Sequence, residues 1–236
     1  MTKIEYPVRI NKYLAQKNIC SRREADKFIS EGRVTINGRP AVLGDKVNFE
    51  DKVVMNKKAM PSKVYLAFNK PIGIVTHGPQ KGEQDIKAVL NYPKHVFPVG
   101  RLDKDSWGLI LLTNDGRVTK KLLDPEENHE KEYVVEVNKP VKALFMRQME
   151  MGVRLDDGYK TKPCKIRKID NTHFAIILTE GKKRQIRRMC ASLNHHVEDL
   201  KRVRVANVKL GKLEVGEYRK IQSQELKNFL ETLEIQ

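Results

Sequence analysis

The sequence predicts an α+β protein of two unequal units: a small helical N-terminal unit and a larger unit on a mostly antiparallel mixed sheet with flanking helices. Three observations support this prediction. The chain of 236 residues is longer than one typical domain of roughly 100–200 residues and too short for three. Helical spacing of apolar residues dominates near the N-terminus, and apolar runs typical of strands follow from Val64 onward. Few helical segments separate these runs, which favours an α+β arrangement.

The composition indicates a folded protein that attracts polyanions. Hydrophobic residues make up 39% and charged residues 32% of the chain, which is ordinary for a globular protein. A net charge of +16 repels itself unless it serves to bind a polyanion, so nucleic acid is the first candidate partner and an anionic membrane the second. No apolar signal core or run of ~18 apolar residues is present. We therefore expect a cytoplasmic protein without a membrane partner.

Cysteine and histidine spacing argues against a metal site. Cys20, Cys164 and Cys190 are far apart and include no Cys-x-x-Cys pair, so neither a disulfide framework nor a zinc knuckle is indicated. His195 and His196 are adjacent, which points their side chains apart. We expect reduced thiols and no structural metal.

Two helices are predicted first. Apolar residues spaced by three and four place one helix at about residues 10–17. Ser21 and Glu24 then form a capping box, in which each side chain accepts a hydrogen bond from the backbone amide of the other residue. The second helix starts there and ends before Gly32, where a left-handed stop is favoured.

A hairpin follows the second helix. Asn37 and Gly38 tolerate the positive φ angles of a tight turn, and the apolar segments 34–36 and 41–42 flank them. Residues 55–63 are polar and contain a proline, so they resemble a linker. The predicted organisation is a small domain at residues 1–56, a linker at 57–63 and a large domain at 64–236.

Basic side chains follow the small domain. Such a helix face is often merely solvated, because surface lysines and arginines are common. The ordered pattern Arg-Ile-Asn-Lys-Tyr-Leu, Ser-Arg-Arg-Glu-Ala-Asp and Glu-Gly-Arg-Val-Thr-Ile-Asn-Gly, however, resembles the S4 RNA-binding domain over about 45 residues. The resemblance implies that this side docks on structured RNA through phosphate contacts. The candidate contacts are Lys12, Arg22, Arg23, Lys27 and Arg33.

The large domain contains strand-like runs with a few helices between them. Strands are predicted at about residues 65–68, 73–75, 108–113, 133–137 and 174–178. Helices are predicted at about residues 141–151, 182–193 and 223–233.

The stretch 97–116 is the most informative of the large domain. Carboxylates, cations and glycines there interrupt strong strand formers, and a loop held by a sheet can position a catalytic group rigidly. From spacing alone, Asp103 and Asp105 are better explained as caps of backbone amides. The segment Gly-Arg-Leu-Asp, however, resembles the motif of the RsuA/RluB/RluE/RluF branch of pseudouridine synthases.

Three further segments match that family in the same order. They are Asn69-Lys-Pro-Ile-Gly73, His129-Glu-Lys-Glu-Tyr133 and Gly181-Lys-Lys-Arg-Gln-Ile-Arg-Arg-Met189. The resemblance covers nearly the whole chain, and within the branch it is nearest to the RluF members, which act on large-subunit rRNA. It implies an isomerase that rejoins uracil to ribose through C5 and needs no cofactor.

The resemblance also implies residue roles. Asp103 would be the catalytic carboxylate, acting as nucleophile or as base, with Arg187 as its counter-ion. The uridine has to leave its stack to reach the carboxylate, so Tyr133 would stack on the flipped uracil and Arg101 would fill the space it leaves. We expect Lys182, Lys183, Arg184 and Arg188 to bind RNA phosphates. Trp107 lies at a variable motif position and is a stacking surface without a firm role.

Alternatives stay open at the level of sequence. One is a non-catalytic RNA-binding or ribosome-assembly protein, in which the large domain is a passive scaffold. A glycoside or nucleoside hydrolase is less favoured, because such enzymes generally use two carboxylates and only Asp103 matches a motif. For the favoured enzyme we expect 23S ribosomal RNA as partner, although 16S rRNA or tRNA would fit the same chemistry. We expect a monomer.

Overall fold

Two helices and a hairpin precede a nine-stranded sheet in the computed structural model, which describes residues 4–17, 19–56 and 62–235. Residues 57–61 of the predicted linker lie outside the described residues. The last linker residues contact both units: the Ser62 carbonyl accepts from Asn114 at 3.0 Å, and Lys63 Nζ lies 2.7 Å from Glu24 Oε1. Ser21 also packs on the larger unit, where a Cβ on Gly116 would meet the serine Cβ at 2.3 Å.

The small unit follows the predicted order of elements. The Glu24 amide donates to Ser21 Oγ at 3.2 Å and the Ser21 amide donates to Glu24 Oε2 at 2.8 Å, which confirms the capping box. The elements of this unit are β1 (Val8–Arg9), α1 (Ile10–Gln16), α2 (Arg22–Ser30), β2 (Val34–Ile36), β3 (Arg39–Pro40), β4 (Lys46–Val47) and β5 (Val53–Met55).

The hairpin turn is confirmed, and its second strand is shifted. Asn37 and Gly38 have φ angles of 51° and 85°, as the tight turn requires. The returning strand is β3 rather than residues 41–42, because a two-residue turn pairs Ile36 directly with Arg39.

The larger unit is organised on one sheet with the strand order β10-β11-β9-β12-β8-β6-β14, with β13 beside β12 and β7 beside β8. In the described residues the β12–β8 pair is parallel and the other named pairs are antiparallel, which confirms the mostly antiparallel mixed sheet. Its elements are β6 (Tyr65–Lys70), α3 (Ile86–Val89), β7 (Phe97–Val99), β8 (Trp107–Thr113), α4 (Gly116–Leu122), β9 (Lys131–Val137), α5 (Ala143–Glu150), β10 (Lys165–Lys168), β11 (His173–Leu178), α6 (Gln185–Ser192), β12 (Val197–Val205), β13 (Val208–Lys209), β14 (Tyr218–Lys220) and α7 (Ser223–Thr232).

Separate apolar clusters cover the two halves of the sheet. Phe145 of α5 and Met189 of α6 pack on β9 and β11, whereas Val118 of α4 and Phe229 of α7 pack on β6 and β8. The two clusters meet at the central strands, since Val135 of β9 and Leu200 of β12 belong to the first and Val205 of β12 belongs to the second. A cavity opens beside these residues, over Lys131 and Tyr133 of β9 and Arg202 of β12.

A glycine allows the parallel pair at the centre of the sheet to come close. Gly108 of β8 has a φ of 103°, and a Cβ at this position would lie 2.3 Å from the Arg202 carbonyl oxygen of β12. Any other residue would therefore force the two strands apart.

Two segments differ from the sequence predictions. Residues 73–75 form no strand, since Gly73 turns the chain with a φ of 86° and Val75 makes only an isolated bridge to Asp85. The helix predicted from residue 182 begins at Gln185 instead, because Arg184 adopts a left-handed conformation with a φ of 51°. The helices predicted near 141–151 and 223–233 are confirmed as α5 and α7.

Candidate active site

A cavity of about 740 Å³ lies over β9 and β12. One wall is the loop between β7 and β8, and a second is the segment that follows α4. The third wall consists of the end of β11, the turn into α6 and the segment that carries Tyr159. Asp103, Tyr133 and Arg101, three of the predicted catalytic residues, line this one cavity together.

Asp103 lies half-buried in the β7–β8 loop, and neighbouring segments hold its backbone in place. The buried Thr76 hydroxyl donates to the Leu102 carbonyl at 2.7 Å and accepts from the Leu102 amide at 3.0 Å. The Gly73 amide donates to the Lys104 carbonyl at 2.8 Å. The residues on both sides of Asp103 are therefore fixed by the segment after β6, which carries the first family motif.

Lys70 supports that segment from below. Its side chain is fully buried, and Nζ donates to the carbonyls of Pro71 and Ile74 at 2.8 and 2.7 Å. Burial lowers the pKa of Lys70 to about 8, although the nearby charges of Asp103 and Asp105 favour its protonated form. A cation is thus placed directly under the carboxylate loop.

Arg187 does not pair with Asp103 in the described residues. Its guanidinium donates to the carbonyls of Val197 and Asp105 at 3.0 and 2.8 Å, and to Ser106 Oγ at 3.3 Å. Arg187 therefore joins α6 and β12 to the turn that follows the catalytic loop. The guanidinium therefore contacts Asp105 and Ser106, which follow Asp103 in the chain, and not the Asp103 carboxylate that the predicted counter-ion role requires.

Asp105 is the carboxylate that these arginines contact. Arg184 holds it with two hydrogen bonds of 3.0 and 2.8 Å, and Arg187 Nε lies 3.5 Å from Asp105 Oδ2. Burial of Asp105 opposes its ionisation, but the Arg184 hydrogen bonds and the Arg187 charge hold its pKa below the usual range. The Arg184 side chain, predicted to bind phosphate, is thus engaged with Asp105 while it lines the cavity.

Tyr133 is half-buried on β9, and Arg101 is exposed at the cavity mouth. Both positions suit the roles that the resemblance implies, a ring facing the cavity and an exposed cation at its rim. Lys182 and Lys183 are exposed and line the same rim. The structure therefore brings exposed cations at the rim together with a carboxylate and a ring below them.

Arg202 and Lys131 line the cavity floor, and the sequence reasoning missed both. Arg202 is buried, with Nε donating to the Leu109 carbonyl at 2.6 Å and a longer contact of 3.4 Å to the Arg101 carbonyl. A detectable signal existed: Leu200 and Arg202 have the same phase in a strand, so an arginine stands where the alternation calls for an apolar residue.

A buried carboxylate organises the wall opposite Asp103. Glu180 accepts hydrogen bonds from the Tyr159 hydroxyl at 2.7 Å, the Lys162 amide at 3.0 Å and Gln185 Nε2 at 2.6 Å. Lys182 Nζ lies 4.4 Å from the centre of the Tyr159 ring. Because it accepts these three hydrogen bonds, Glu180 connects the end of β11 to Tyr159, Lys162 and Gln185.

Two further predicted RNA contacts are engaged within the protein, as Arg184 is. Arg188 pairs with Asp156 and Asp157, and it does not line the cavity. Arg33 is half-buried on the Phe28 ring at 4.3 Å. The remaining candidates of the small unit are exposed, and they are Lys12, Arg22, Arg23 and Lys27.

Trp107 is not a free stacking surface. Its Nε1 donates to both Asp199 oxygens at 2.8 and 3.0 Å, and Lys201 Nζ lies 4.3 Å from its ring centre. The indole thus packs against side chains of β12, and these contacts give Trp107 a structural role within the sheet.

The described parts of the chain contain neither a cluster of metal ligands nor a membrane-spanning helix. No cluster of three or more His, Cys, Asp or Glu side chains there is arranged to hold a metal ion. Among the helices of the same residues, none is both long enough and apolar enough to cross a membrane.

Comparison with known families gives two matches. The S4 domain matches residues 8–53, and the RNA pseudouridylate synthase family matches residues 64–192. The second match spans the cavity walls, including both the Asp103 loop and α6.

Individual relatives agree with these matches. The dual-specificity RNA pseudouridine synthase RluF of Escherichia coli (strain K12) is 44% identical over 233 residues, which are 96% of this chain and 80% of the relative. The ribosomal large subunit pseudouridine synthase B of Bacillus subtilis (strain 168) is 35% identical over 93% of this chain and 94% of its own length. A crystal structure of a pseudouridylate synthase superposes with a TM-score of 0.71 at 30% identity, covering 94% of this chain and 99% of that one.

Proposed function

This chain belongs to the RNA pseudouridylate synthase family, and from that premise we propose that it isomerises uridine in 23S ribosomal RNA with Asp103 as its catalytic carboxylate. Membership of the family makes the chain an RNA pseudouridine synthase, which is an isomerase. The proposal adds the substrate, the catalytic residue and the roles of the residues around it. The observation that carries it is the cavity in which Asp103 and Tyr133, thirty positions apart in sequence, lie beneath a cationic rim.

The chemistry needs an ionised carboxylate close to the ribose. As a nucleophile, Asp103 attacks C1′ and displaces uracil; as a base, it removes a ribose proton while uracil leaves. Cations surround the loop that carries Asp103. Lys70 lies beneath the loop, and Arg184 and Arg187 bind the adjoining turn.

The uridine has to leave its stack to reach this carboxylate. We propose that it flips into the cavity and stacks on Tyr133, while Arg101 at the mouth fills the vacated space. Lys182 and Lys183 then hold the flanking phosphates, because their exposed ammonium groups line the same rim.

Arg187 acts as a positioning residue in this proposal. Its hydrogen bonds to Asp105 and Ser106 fix the end of the loop that starts at Asp103. A rotation of its side chain toward Asp103 on RNA binding would produce the counter-ion contact that the family resemblance implies.

The catalytic assignment is tested with D103N, which replaces one carboxylate oxygen of Asp103 by an amide nitrogen. We expect the wild-type protein to release tritium from ribosomal RNA labelled with 5-tritiated uridine. D103N should lose at least 1,000-fold in rate, on the order of the loss seen when a catalytic nucleophile is removed, and keep its RNA affinity. D170N is the matched control, since Asp170 caps an exposed turn between β10 and β11. Equal release from D103N and wild type would remove Asp103 from the reaction.

The substrate is tested by mapping pseudouridines across total RNA from cells with and without the gene. Loss of a site in 23S rRNA is the expected result, since one relative is named for pseudouridine synthesis in the large ribosomal subunit. Loss of a site only in 16S rRNA or tRNA would contradict the proposed substrate and leave the catalytic proposal intact. We place this reaction in the cytoplasm and assign it to a single copy of the chain, because one chain supplies every wall of the cavity.

A further inference from the structure

The cavity floor contains a lysine that has no carboxylate partner in the described residues. Lys131 stands two positions before Tyr133 on β9, so both side chains point to the same face of the sheet. Lys131 is half-buried, and its ammonium makes one long hydrogen bond of 3.4 Å to the His129 carbonyl. An ammonium has three donors, so this one retains unused hydrogen-bonding capacity beside the cavity.

Nearby carboxylates are committed elsewhere. Glu130 and Glu132 flank Lys131 in sequence, but both pair with Arg204, with contacts of 3.0 and 2.8 Å. Glu180, across the cavity, is occupied by three donors of its own wall. The charge of Lys131 is thus not neutralised from within the protein by these groups.

A second buried cation lies on the neighbouring strand. Arg202 of β12 pairs in register with Tyr133 of β9, and it lines the same floor. Burial lowers the pKa of Lys131, and the Arg202 charge lowers it further. A half-buried cation beside another cation costs stability, and such costs are concentrated at functional sites.

We propose that Lys131 donates a hydrogen bond to a carbonyl oxygen of the flipped uracil and stabilises the negative charge that the base acquires when it leaves the ribose. This rests on the proposed function and adds a catalytic residue to it. The N1–C1′ bond breaks with both electrons going to uracil, and the charge spreads to its carbonyl oxygens. After rotation, C5 bonds to C1′ as the bond from C1′ to Asp103 breaks, or, if Asp103 acted as a base, as Asp103 returns the proton to the ribose. The C5 proton is then released, and N1 takes up a proton from solvent.

The role of Lys131 is independent of how Asp103 acts. Uracil leaves as an anion when Asp103 attacks C1′, and it also leaves as an anion when Asp103 removes a ribose proton. In both cases a fixed cation binds the transition state more strongly than the neutral base of the ground state, which lowers the barrier.

The depth of Lys131 favours uracil over phosphate as its ligand. Side chains two positions apart on a strand are separated by about 7 Å, which places the ammonium near the edge of a base stacked on Tyr133. Phosphates stay with the backbone at the mouth, where the exposed Arg101, Lys182 and Lys183 lie. A half-buried cation at the floor therefore meets the base.

The test compares K131M and K131R with wild type and with K227M. Lys227 is an exposed lysine of α7, paired with Glu231 at 3.9 Å, so its substitution removes the same charge outside the cavity. Single-turnover loss of the target nucleoside is measured on a transcript around the mapped uridine, and RNA affinity is measured separately. We expect K131M to lose about 100-fold in rate, on the scale of losing one charge-stabilising donor, with less than a threefold change in affinity. K131R should recover part of the rate, and K227M should match wild type.

A better leaving group separates charge stabilisation from positioning. In a transcript with 5-fluorouridine the departing base is more acidic and depends less on an external cation, so the K131M deficit should shrink to about tenfold or less. An equal deficit on both transcripts would overturn the proposal, as would a loss of affinity as large as the loss of rate, which marks a phosphate contact. If D103N is inactive while K131M matches wild type, the Lys131 proposal fails and the proposed function stands; if wild type is inactive on every RNA, the proposed function fails.

Discussion

At the scale of single residues, this site contains several cations whose removal from water costs free energy. Lys70, Arg202 and Lys131 all place positive charge in or under the cavity with limited access to water. Folding has to remove each of these charges from solvent, which opposes stability. A negatively charged substrate and an anionic leaving group supply the compensation during the reaction.

Lys70 provides a pH test of this cost. The pKa of Lys70 is about 8 in the folded chain, against the ordinary value of 10.5, so the unfolded chain binds more protons between these values. Stability relative to a chain without Lys70 therefore rises with pH across that window. We expect wild type to gain about 2 kcal/mol relative to K70M between pH 7 and pH 10, from the 1.36 kcal/mol that each pKa unit represents.

The measurement is urea unfolding of both proteins at the two pH values. K227M, in which the replaced lysine is exposed, should follow wild type at both. A constant difference between wild type and K70M would contradict the lowered pKa.

At the scale of elements, the catalytic loop is held by a second loop rather than by the sheet. Thr76 makes both of its hydrogen bonds to the backbone of Leu102, one position before Asp103. In T76V the side chain keeps the shape of threonine but loses both hydrogen bonds. The buried amide and carbonyl of Leu102 are then left unpaired. We expect a loss of about 1–3 kcal/mol in the free energy of unfolding and a fall of about 10–100-fold in the rate of tritium release, since small displacements of a catalytic group reduce rate strongly.

T232V serves as the matched control for that loop. Thr232 donates its hydroxyl to the Asn228 carbonyl on the exposed side of α7, at 2.8 Å. Its rate should equal that of wild type. If T76V retained full activity, the Thr76 contacts would not be what positions Asp103.

The elements also show which features of the structure could be predicted from the sequence. The capping box at Ser21 and the turn at Asn37 depend on residues a few positions apart, so their local pattern suffices. Asp103 and Tyr133 were named from family motifs, whereas spacing alone favoured a capping role for Asp103. Arg202 was missed although it shares the strand phase of Leu200, because β12 mixes charged and apolar residues and register shifts on both sides of Arg202 interrupt the simple alternation.

Arg187 illustrates a different limit. The motif gave its position on α6, but its partner depends on how α6 sits relative to the loop between β7 and β8. Those segments are some eighty positions apart, and their packing is decided by the whole sheet. Residues 73–75 form no strand for a similar reason, since the Gly73 amide binds the Lys104 carbonyl in the Asp103 loop, whereas Val75 pairs with the segment around Asp85.

At the scale of the whole molecule, we expect RNA binding to be divided between two cationic surfaces. One is the cavity rim, and the other is the exposed side of α2 in the small unit. The small unit contacts the larger one through the Lys63–Glu24 ion pair and the packing of Ser21 on Gly116. We therefore expect the α2 arginines to add affinity without changing the chemical step.

Charge reversal tests this division. R22E/R23E should weaken RNA binding and reduce the slope of log affinity against log salt by about 1–2, because two phosphate contacts are lost. The single-turnover rate at saturating enzyme should stay within about twofold of wild type. K220E/K227E is the control with the same change in net charge on exposed residues outside both surfaces. An unchanged salt slope in R22E/R23E would mean that these arginines do not contact phosphate.

The strand order of the sheet governs when the enzyme becomes active during its own synthesis. β12, at the centre of the sheet, carries Arg202 and joins β8 to β9, yet it is made about sixty residues after β9. The apolar core of the small unit is built from residues of its own short stretch of chain, so we expect this unit to fold before β12 has been made. We therefore expect a nascent chain to acquire affinity for RNA well before it acquires catalysis, and to hold RNA without modifying it while translation continues.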